Sequence, residues 1–458
     1  VPENAELEML NGSVLVRTRL VALPWQNKEF DELFSAYGIR IEGIDHLAAR
    51  RGLGVPLVLV QKGHAAENFI TEDFLPNLIQ VYPATLTVEF SGSLCEEKTP
   101  KTPFEAVVDL HDPLQMEMII LKNQQIPLES DFTTPVVYLL QNTPKTSVLT
   151  GLLHVEKWED RKGLYMLHPY QEGKIPVVFV HGLMSSPETW IKMFNDLLAD
   201  PILRAKYQFW FYLYPTGDPI LYAASQFRNC LRQVQERFDP DGNDPTFNQM
   251  VLVSHSMGGL LAKTAVQESG NLLWKNLTDK PLEEVELNEE TKLLVKEAFF
   301  FKPLPFIKRI VFICVPHRGS KVADWGIGRL GSSLIRLRGN ILKTGGTLLA
   351  SVAETENRIL LRQLKKPTSI GGLSPNDPVL HTLCGIPFEP GVRYHSIIAN
   401  VHGSDLPGGT DKVVTYESSH LEGAESEKIV HSDHNAHKHA EAIAEVYRIL
   451  RHHLNSLG

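Results

Sequence analysis

The sequence predicts an α/β fold: a mostly parallel sheet flanked by helices, preceded by a smaller, mostly β N-terminal region. Three observations predict it. From Ile175 onward, apolar runs of the kind buried in parallel sheets alternate with segments of helical spacing. One of those runs ends at Ser254 and passes through His255-Ser256-Met257-Gly258-Gly259 into a helix-forming stretch, the strand–turn–helix setting of a nucleophile elbow. The first 165 residues instead carry short, alternating apolar runs broken by Pro and Gly.

A length of 458 residues suggests two domains, and the change of texture divides them at 1–165 and 166–458. Hydrophobic residues make up 43% and charged residues 22%, the proportions of a globular protein, and the formal charge of −9 argues against a nucleic-acid groove. No basic cluster addresses an anionic membrane, and no run of 18 apolar residues spans one. The four cysteines (Cys95, Cys230, Cys314, Cys384) form no CxxC, so neither a zinc ribbon nor a disulfide framework is expected, although one bridge remains open. Cys314 lies in an apolar run and reads as core. The chain opens at Val1 without an apolar leader, which fits an exported protein whose signal segment has been removed or, otherwise, a trimmed cytoplasmic one.

In the N-terminal region, Asn27 to Tyr37 reads as a short amphipathic helix, and Thr85–Phe90, Met116–Leu121 and Val136–Leu140 read as β-prone runs. The expected role is to cover a sheet edge or shape a cleft rim, with polymer binding as the sharper alternative. Beyond it, strands are expected at Ile175–Val180, Tyr207–Tyr214, Gln249–Val253, Ile307–Val315 and Arg393–Ala399. Helices are expected at Glu188–Leu198, Ala223–Glu236, Gly258–Glu268 and Ala440–Leu454. Two stretches look inserted. Residues 270–300 are polar and acidic. Residues 320–390 are too long for an ordinary crossover, and Leu330, Leu334, Leu337 and Ile341 repeat there at helical spacing. The expectation for 320–390 is a helical cap over the site, against the plainer reading of an insertion with a private core.

Ser256 is the candidate nucleophile, because the elbow aims its hydroxyl out of the sheet edge and Gly258 supplies the small neighbour the turn needs. A serine is a weak nucleophile without a base and an orienting acid. His434 is the candidate base and Asp411 the candidate acid, in the chain order Ser, Asp, His. Asp405 and Asp324 rival Asp411; Val413-Val414 favours Asp411 by anchoring the loop just after it. His431, His437, His439 and Asp433 crowd His434, and a metal site there is the alternative, but no metal-binding motif accompanies them and none is expected. His255 is expected to support the elbow. The backbone N–H groups of Leu183, after His181-Gly182, and of Met257 are expected to form an oxyanion hole. A second His-Gly, at His402, follows the nucleophile and reads as a loop. Arg318 either meets a substrate carboxylate or ties a loop together.

With these residues in view, the region from about 165 to 458 resembles the serine esterases and lipases of the α/β-hydrolase fold, and within them the GPI-inositol-deacylase-like (PGAP-type) group. The matching blocks are Val180-His181-Gly182-Leu183-Met184-Ser185-Ser186-Pro187, Ser254-His255-Ser256-Met257-Gly258-Gly259, Pro316-His317-Arg318-Gly319-Ser320, Thr410-Asp411-Lys412-Val413-Val414 and Ser432-Asp433-His434. The resemblance implies hydrolysis of carboxylic esters through an acyl-enzyme, without metal or organic cofactor, on a small-molecule or lipid-like ester. The chain departs from the pattern at Ser254, where Gly is usual. An acyltransferase with the same three residues, and a non-catalytic binding protein on this scaffold, are the competing functions.

Overall fold

The computed structural model describes residues 4–9, 12–21, 30–41, 44–63, 74–77, 79–91, 104–143, 161–324, 368–402 and 409–458, and the isolated residues 343, 346 and 347. The strands, in chain order, are β1 (Asn4–Met9), β2 (Gly12–Val21), β3 (Glu32–Ser35), β4 (Ala49–Arg50), β5 (Val55–Lys62), β6 (Ile79–Ser91), β7 (Phe104–His111), β8 (Met118–Leu121), β9 (Gln124–Pro127) and β10 (Ser130–Asp131) in the first part. The second part contributes β11 (Gly163–Met166), β12 (Ile175–Val180), β13 (Tyr207–Leu213), β14 (Met250–His255), β15 (Ile307–Ile313), β16 (Arg393–Ala399) and β17 (Ser426–Val430).

The first part builds a six-stranded sheet in the order β1-β2-β7-β6-β5-β3. Two expectations fail here. Within Asn27–Tyr37, residues 27–29 lie outside the described residues, while Glu32–Ser35 is a strand paired antiparallel to β5 and Ala36–Gly38 is a 3-10 turn. Four residues are too few to separate a period of 2 from one of 3.6, and the free edge of β5 decides. The run Val136–Leu140 is helical, inside Thr133–Asn142. The Asp131 carboxylate accepts the N–H groups of Thr133 and Thr134 at 2.9 and 2.8 Å, which satisfies donors of the first turn. Leu139 then packs with Val58, Val60, Ile79 and Val81 of the sheet. That burial outweighs the β preference of Val136 and Val137.

The second part builds a seven-stranded sheet in the order β11-β13-β12-β14-β15-β16-β17. Only β11 runs antiparallel; every other neighbouring pair is parallel. Both β12 and β14 are buried along their whole length, because helices cover both faces. On one face Val178, Trp210, Tyr212 and Leu252 pack against Phe227 and Leu231 of the helix Ile220–Phe238 and Leu260 and Leu261 of the helix Met257–Thr264. On the other, Val177, Phe179, Phe211, Val253 and Val311 meet Met193 and Leu197 of the helix Ile191–Ala199 and Val446 and Leu450 of the helix Ala440–Ser456. The chain leaves β12 for β13 on one side, then crosses back to β14 on the other. The strand order therefore reverses between β12 and β14, and the carboxyl ends there open a crevice. This topology, with the turn at Ser256 described below, is the α/β-hydrolase fold.

The two parts of the chain share packing. The Arg204 guanidinium lies 4.3 Å from the centre of the Phe132 ring and donates to Glu117 at 3.0 Å. Lys174 donates to the Leu114 carbonyl at 3.2 Å, and Ala48 and Phe132 belong to the same apolar cluster as Ile175 and Phe209. Residues 270–300 hold the helix Glu289–Phe299, and Trp274, Leu277, Leu282, Val285 and Val295 form a local core there. Leu330, Leu334, Leu337 and Ile341 of the expected cap lie outside the described residues.

Candidate active site

The crevice is lined by loops that leave neighbouring strands, and its backbone is tightly constrained. Between residues 161 and 458 the described non-glycine residues with positive φ are Met184, Ser256, Cys314 and Lys412, each in a loop after β12, β14, β15 or β16. A non-glycine residue in this region costs of order 1–3 kcal/mol and persists where the surroundings over-determine it.

Ser256 has φ 52° and ψ −129°. Its N–H donates to the Ile313 carbonyl at 2.9 Å, and its own carbonyl accepts from Gly259 N–H at 2.9 Å, so the turn is pinned from both sides. The glycines around it have steric causes. A Cβ at Gly258 would stand 2.3 Å from the His181 carbonyl oxygen, and one at Gly182 would stand 2.8 Å from the Ser256 Cβ. Ser254 is fully buried, and its hydroxyl donates to the Val311 carbonyl on β15 at 3.1 Å. A serine therefore fits where glycine is usual, because its one polar atom finds an acceptor.

Three of the predicted side chains meet. His434 Nε2 lies 2.8 Å from Ser256 Oγ, and His434 Nδ1 lies 2.7 Å from Asp411 Oδ2. Facing a carboxylate oxygen, Nδ1 carries the hydrogen, which leaves Nε2 to accept from the serine hydroxyl. Asp411 is 2% exposed, and its other oxygen accepts the N–H groups of Val413 and Val414 at 2.8 and 2.6 Å. The two valines thus fix the acid through their backbone. Asp405 lies outside the described residues; Asp324 ends a 3-10 turn, Lys321–Asp324.

On the opposite side, Leu183 follows β12 and Met257 opens a helix, where a first-turn N–H has no acceptor within the helix. His181 is fully buried beneath them. Its carbonyl accepts from the Tyr214 hydroxyl at 2.8 Å, and the two rings stack at 4.5 Å. Burial pushes the His181 imidazole down to about 4, so it stays neutral. Met184 N–H donates to the Thr216 hydroxyl at 3.3 Å.

The other histidines of the loop do different work. His437 is buried, shares a hydrogen bond with the Thr189 hydroxyl, and is pushed down to about 3, chiefly by burial. His439 caps the last helix, accepting from Glu441 N–H at 3.4 Å, and His431 is exposed. Asp433 accepts from Asn435 N–H at 2.8 Å. His255 does more than support the elbow. Its Nε2 donates to the carbonyl of His434 at 2.7 Å, and its ring lies 4.0 Å from that of His437. Burial first, then the neighbouring His437, drive its pKa well below the ordinary value, so it is a neutral donor. Sequence reasoning missed the His255–His437 pair, since the spacing of 182 positions carries no local signal. Arg318 is a loop tie: it donates to the carbonyls of Glu417 and His420 at 2.8 and 2.6 Å. His402 N–H donates to Asn400 Oδ1 at 3.0 Å, in a loop as expected.

Several solved structures are similar to this chain. A lipase of Bacillus licheniformis in its mature form is 19% identical, with 61% of this chain and 93% of that one covered and a TM-score of 0.35. A metagenomic carboxyl esterase is 13% identical, with 70% and 99% covered and a TM-score of 0.36. A lipase of Staphylococcus hyicus is 12% identical, with 63% and 97% covered and a TM-score of 0.34. No protein-family model matches the chain, and no curated protein does. The fold itself follows from the strand order and the elbow at Ser256.

Proposed function

We propose that this chain is a serine hydrolase of the esterase and lipase type, cleaving carboxylic esters through an acyl-enzyme. The observation that carries the reading is the single hydrogen-bonded row in which His434 touches Ser256 at 2.8 Å and Asp411 at 2.7 Å. Ser256 Oγ attacks the ester carbonyl while His434 Nε2 takes its proton. Asp411 holds the imidazole tautomer and stabilises the imidazolium. The N–H groups of Leu183 and Met257 stabilise the oxyanion, His434 returns the proton to the departing alcohol, and water repeats the sequence on the acyl-enzyme. The substrate class is a small or lipid-like ester, and the GPI-inositol-deacylase-like group remains the closest reading of the sequence blocks. Residues 1–165 are proposed as an accessory domain, residues 166–458 as the catalytic domain, and 320–390 as its cap.

The test is labelling by a fluorophosphonate together with turnover of p-nitrophenyl esters of graded chain length. Labelling of wild type but not of Ser256→Ala, with turnover, supports the reading. Absence of both in folded protein refutes it.

A further inference from the structure

Cys314 is the first residue after β15, Asp411 lies in the loop after β16, and His434 in the loop after β17. These three strands are neighbours, so three parallel strand ends deliver a thiol, a carboxylate and an imidazole to one spot. One ligand atom from each lies within 4.8 Å of the other two. Among the described residues this is the one group of three or more His, Cys, Asp and Glu side chains so arranged. Cys314 is 1% exposed, has φ 51°, and is tied by its N–H to the Ile397 carbonyl of β16 at 2.9 Å. The strained backbone thus holds the thiol against the acid, at a position that the proposed ester hydrolysis does not use.

We propose that Cys314, Asp411 and His434 form a site for a soft divalent cation such as Zn2+, which reversibly switches off the hydrolase. Sulfur, nitrogen and carboxylate oxygen are the donor set zinc prefers, and three protein ligands leave its fourth position for water. Tetrahedral zinc with bonds of about 2.0–2.3 Å needs its ligand atoms roughly 3.3–3.7 Å apart. The His434–Asp411 pair, 2.7 Å apart, therefore opens slightly, and no pair has to close by more than about 1.5 Å through side-chain rotation. Binding sends the Cys314 thiol proton to solvent, while His434 stays neutral and shifts its hydrogen from Nδ1 to Nε2, which frees the Nδ1 lone pair for the cation. The hydrogen bond between His434 Nδ1 and Asp411 is lost with that shift. A cation on Nδ1 withdraws electron density from the ring, and the Asp411 charge is spent on the metal. Nε2 then carries the hydrogen and has no lone pair with which to take the Ser256 proton. The inhibition rests on the function proposed above; the binding does not.

Two measurements on the full chain separate them. Cadmium, a spectroscopic stand-in for zinc, is titrated into Ser256→Ala and into the double variant Ser256→Ala/Cys314→Ser, and thiolate-to-cadmium absorption is followed in the ultraviolet. Cys230 is buried and Cys384 half-buried, so the difference between the two proteins isolates Cys314. The expected result is a saturable band with Cys314 and none without it; equal spectra overturn the site. In the second measurement Zn2+ inhibits wild-type ester turnover, EDTA restores it, and Cys314→Ser raises the half-inhibiting concentration by at least about tenfold. Metal-free turnover of Cys314→Ser stays within a few-fold of wild type. Equal zinc sensitivity of the two proteins overturns the switch. Cys314→Ala, with its melting temperature measured, replaces the serine variant if that one does not fold. A chain that binds cadmium through Cys314 but turns over no ester retains the metal site and loses the hydrolase reading.

Discussion

At the scale of single residues, roles divide by what each side chain touches. Ser256→Ala is expected to cut kcat by about a million-fold, and Asp411→Asn by about ten-thousand-fold, magnitudes taken from serine hydrolases of other folds. His431→Ala should leave turnover intact, because that side chain is exposed. His437→Ala should not be neutral: its ring is buried against His255 and Trp190, so the expected outcome is a lower melting temperature. His255 is the more informative position. It positions His434 through that residue's backbone carbonyl, and a misplacement of about 1 Å costs about a hundredfold in rate. His255→Phe is therefore expected to lower kcat by about that factor with KM little changed, while His255→Gln, which can still donate, recovers most of it. Equal activity in both variants would remove His255 from the positioning role.

At the scale of elements, the elbow is where sequence and packing agree most closely. Gly258 exists because the helix Met257–Thr264 starts against the end of β12, where any Cβ would stand only 2.3 Å from the His181 carbonyl oxygen. Gly258→Ala is expected to destabilise the protein by about 1–3 kcal/mol through overpacking and to lose most turnover, whereas Ser254→Gly should be mild in both. Thermal melting and ester turnover of the two variants check this. If Gly258→Ala melts and turns over as wild type does, the close approach of helix and strand is wrong. The strand that brings His434 to the site was not legible. β17 reads Ser-Glu-Lys-Ile-Val, an edge strand whose exposed face takes polar residues, and its parallel pairing with β16 is 31 positions distant at Ser426↔His395. The helix Thr133–Asn142 was misread for the opposite reason: its β-branched residues carry a strand propensity that burial against β5 and β6 overrides.

At the scale of the whole molecule, charged groups are buried where the layers meet. Lys263 sits on the helix behind the elbow, 1% exposed, with Phe388 under its ammonium at 5.5 Å. Cys384, Arg318 and His317 are the titratable or charged groups that face it. Burial pushes its pKa down to about 8. Below pH 8 the lysine is charged in both the folded and unfolded states, and the full cost of burying the charge is present. From pH 8 towards its ordinary value the folded protein has lost the proton and the unfolded chain has not, so stability rises with pH. Lys263→Met should be more stable than wild type near pH 7, by up to roughly 3 kcal/mol, and that advantage should shrink as pH approaches 10. Denaturant unfolding of both proteins at pH 7 and pH 10 tests it; a gap that stays constant with pH refutes the buried charge. A second test addresses the junction of the two parts of the chain. Arg204→Met replaces the guanidinium over Phe132 with an uncharged side chain of similar reach that can still pack on the ring, but leaves Glu117 without that partner, while Arg204→Ala removes both. The alanine variant should melt at the lower temperature if packing on the Phe132 ring, rather than the ion pair with Glu117, holds this junction together.

The sequence by itself determined the local geometry of the site. Long apolar strands and the small residues around Ser256 are short-range patterns, and β12 begins and ends where its apolar run does. The fixing of the Asp411 carboxylate was legible too, because the valines that hold it are its immediate neighbours. What only the tertiary structure decided is whatever depends on distant chain segments meeting. The neutral His255 beneath His434, the loop tie of Arg318 and the thiol of Cys314 beside Asp411 acquire their roles from burial and charge supplied by residues about a hundred or more positions away. Desolvation and close packing belong to the assembled sheet ends, and no local pattern encodes them.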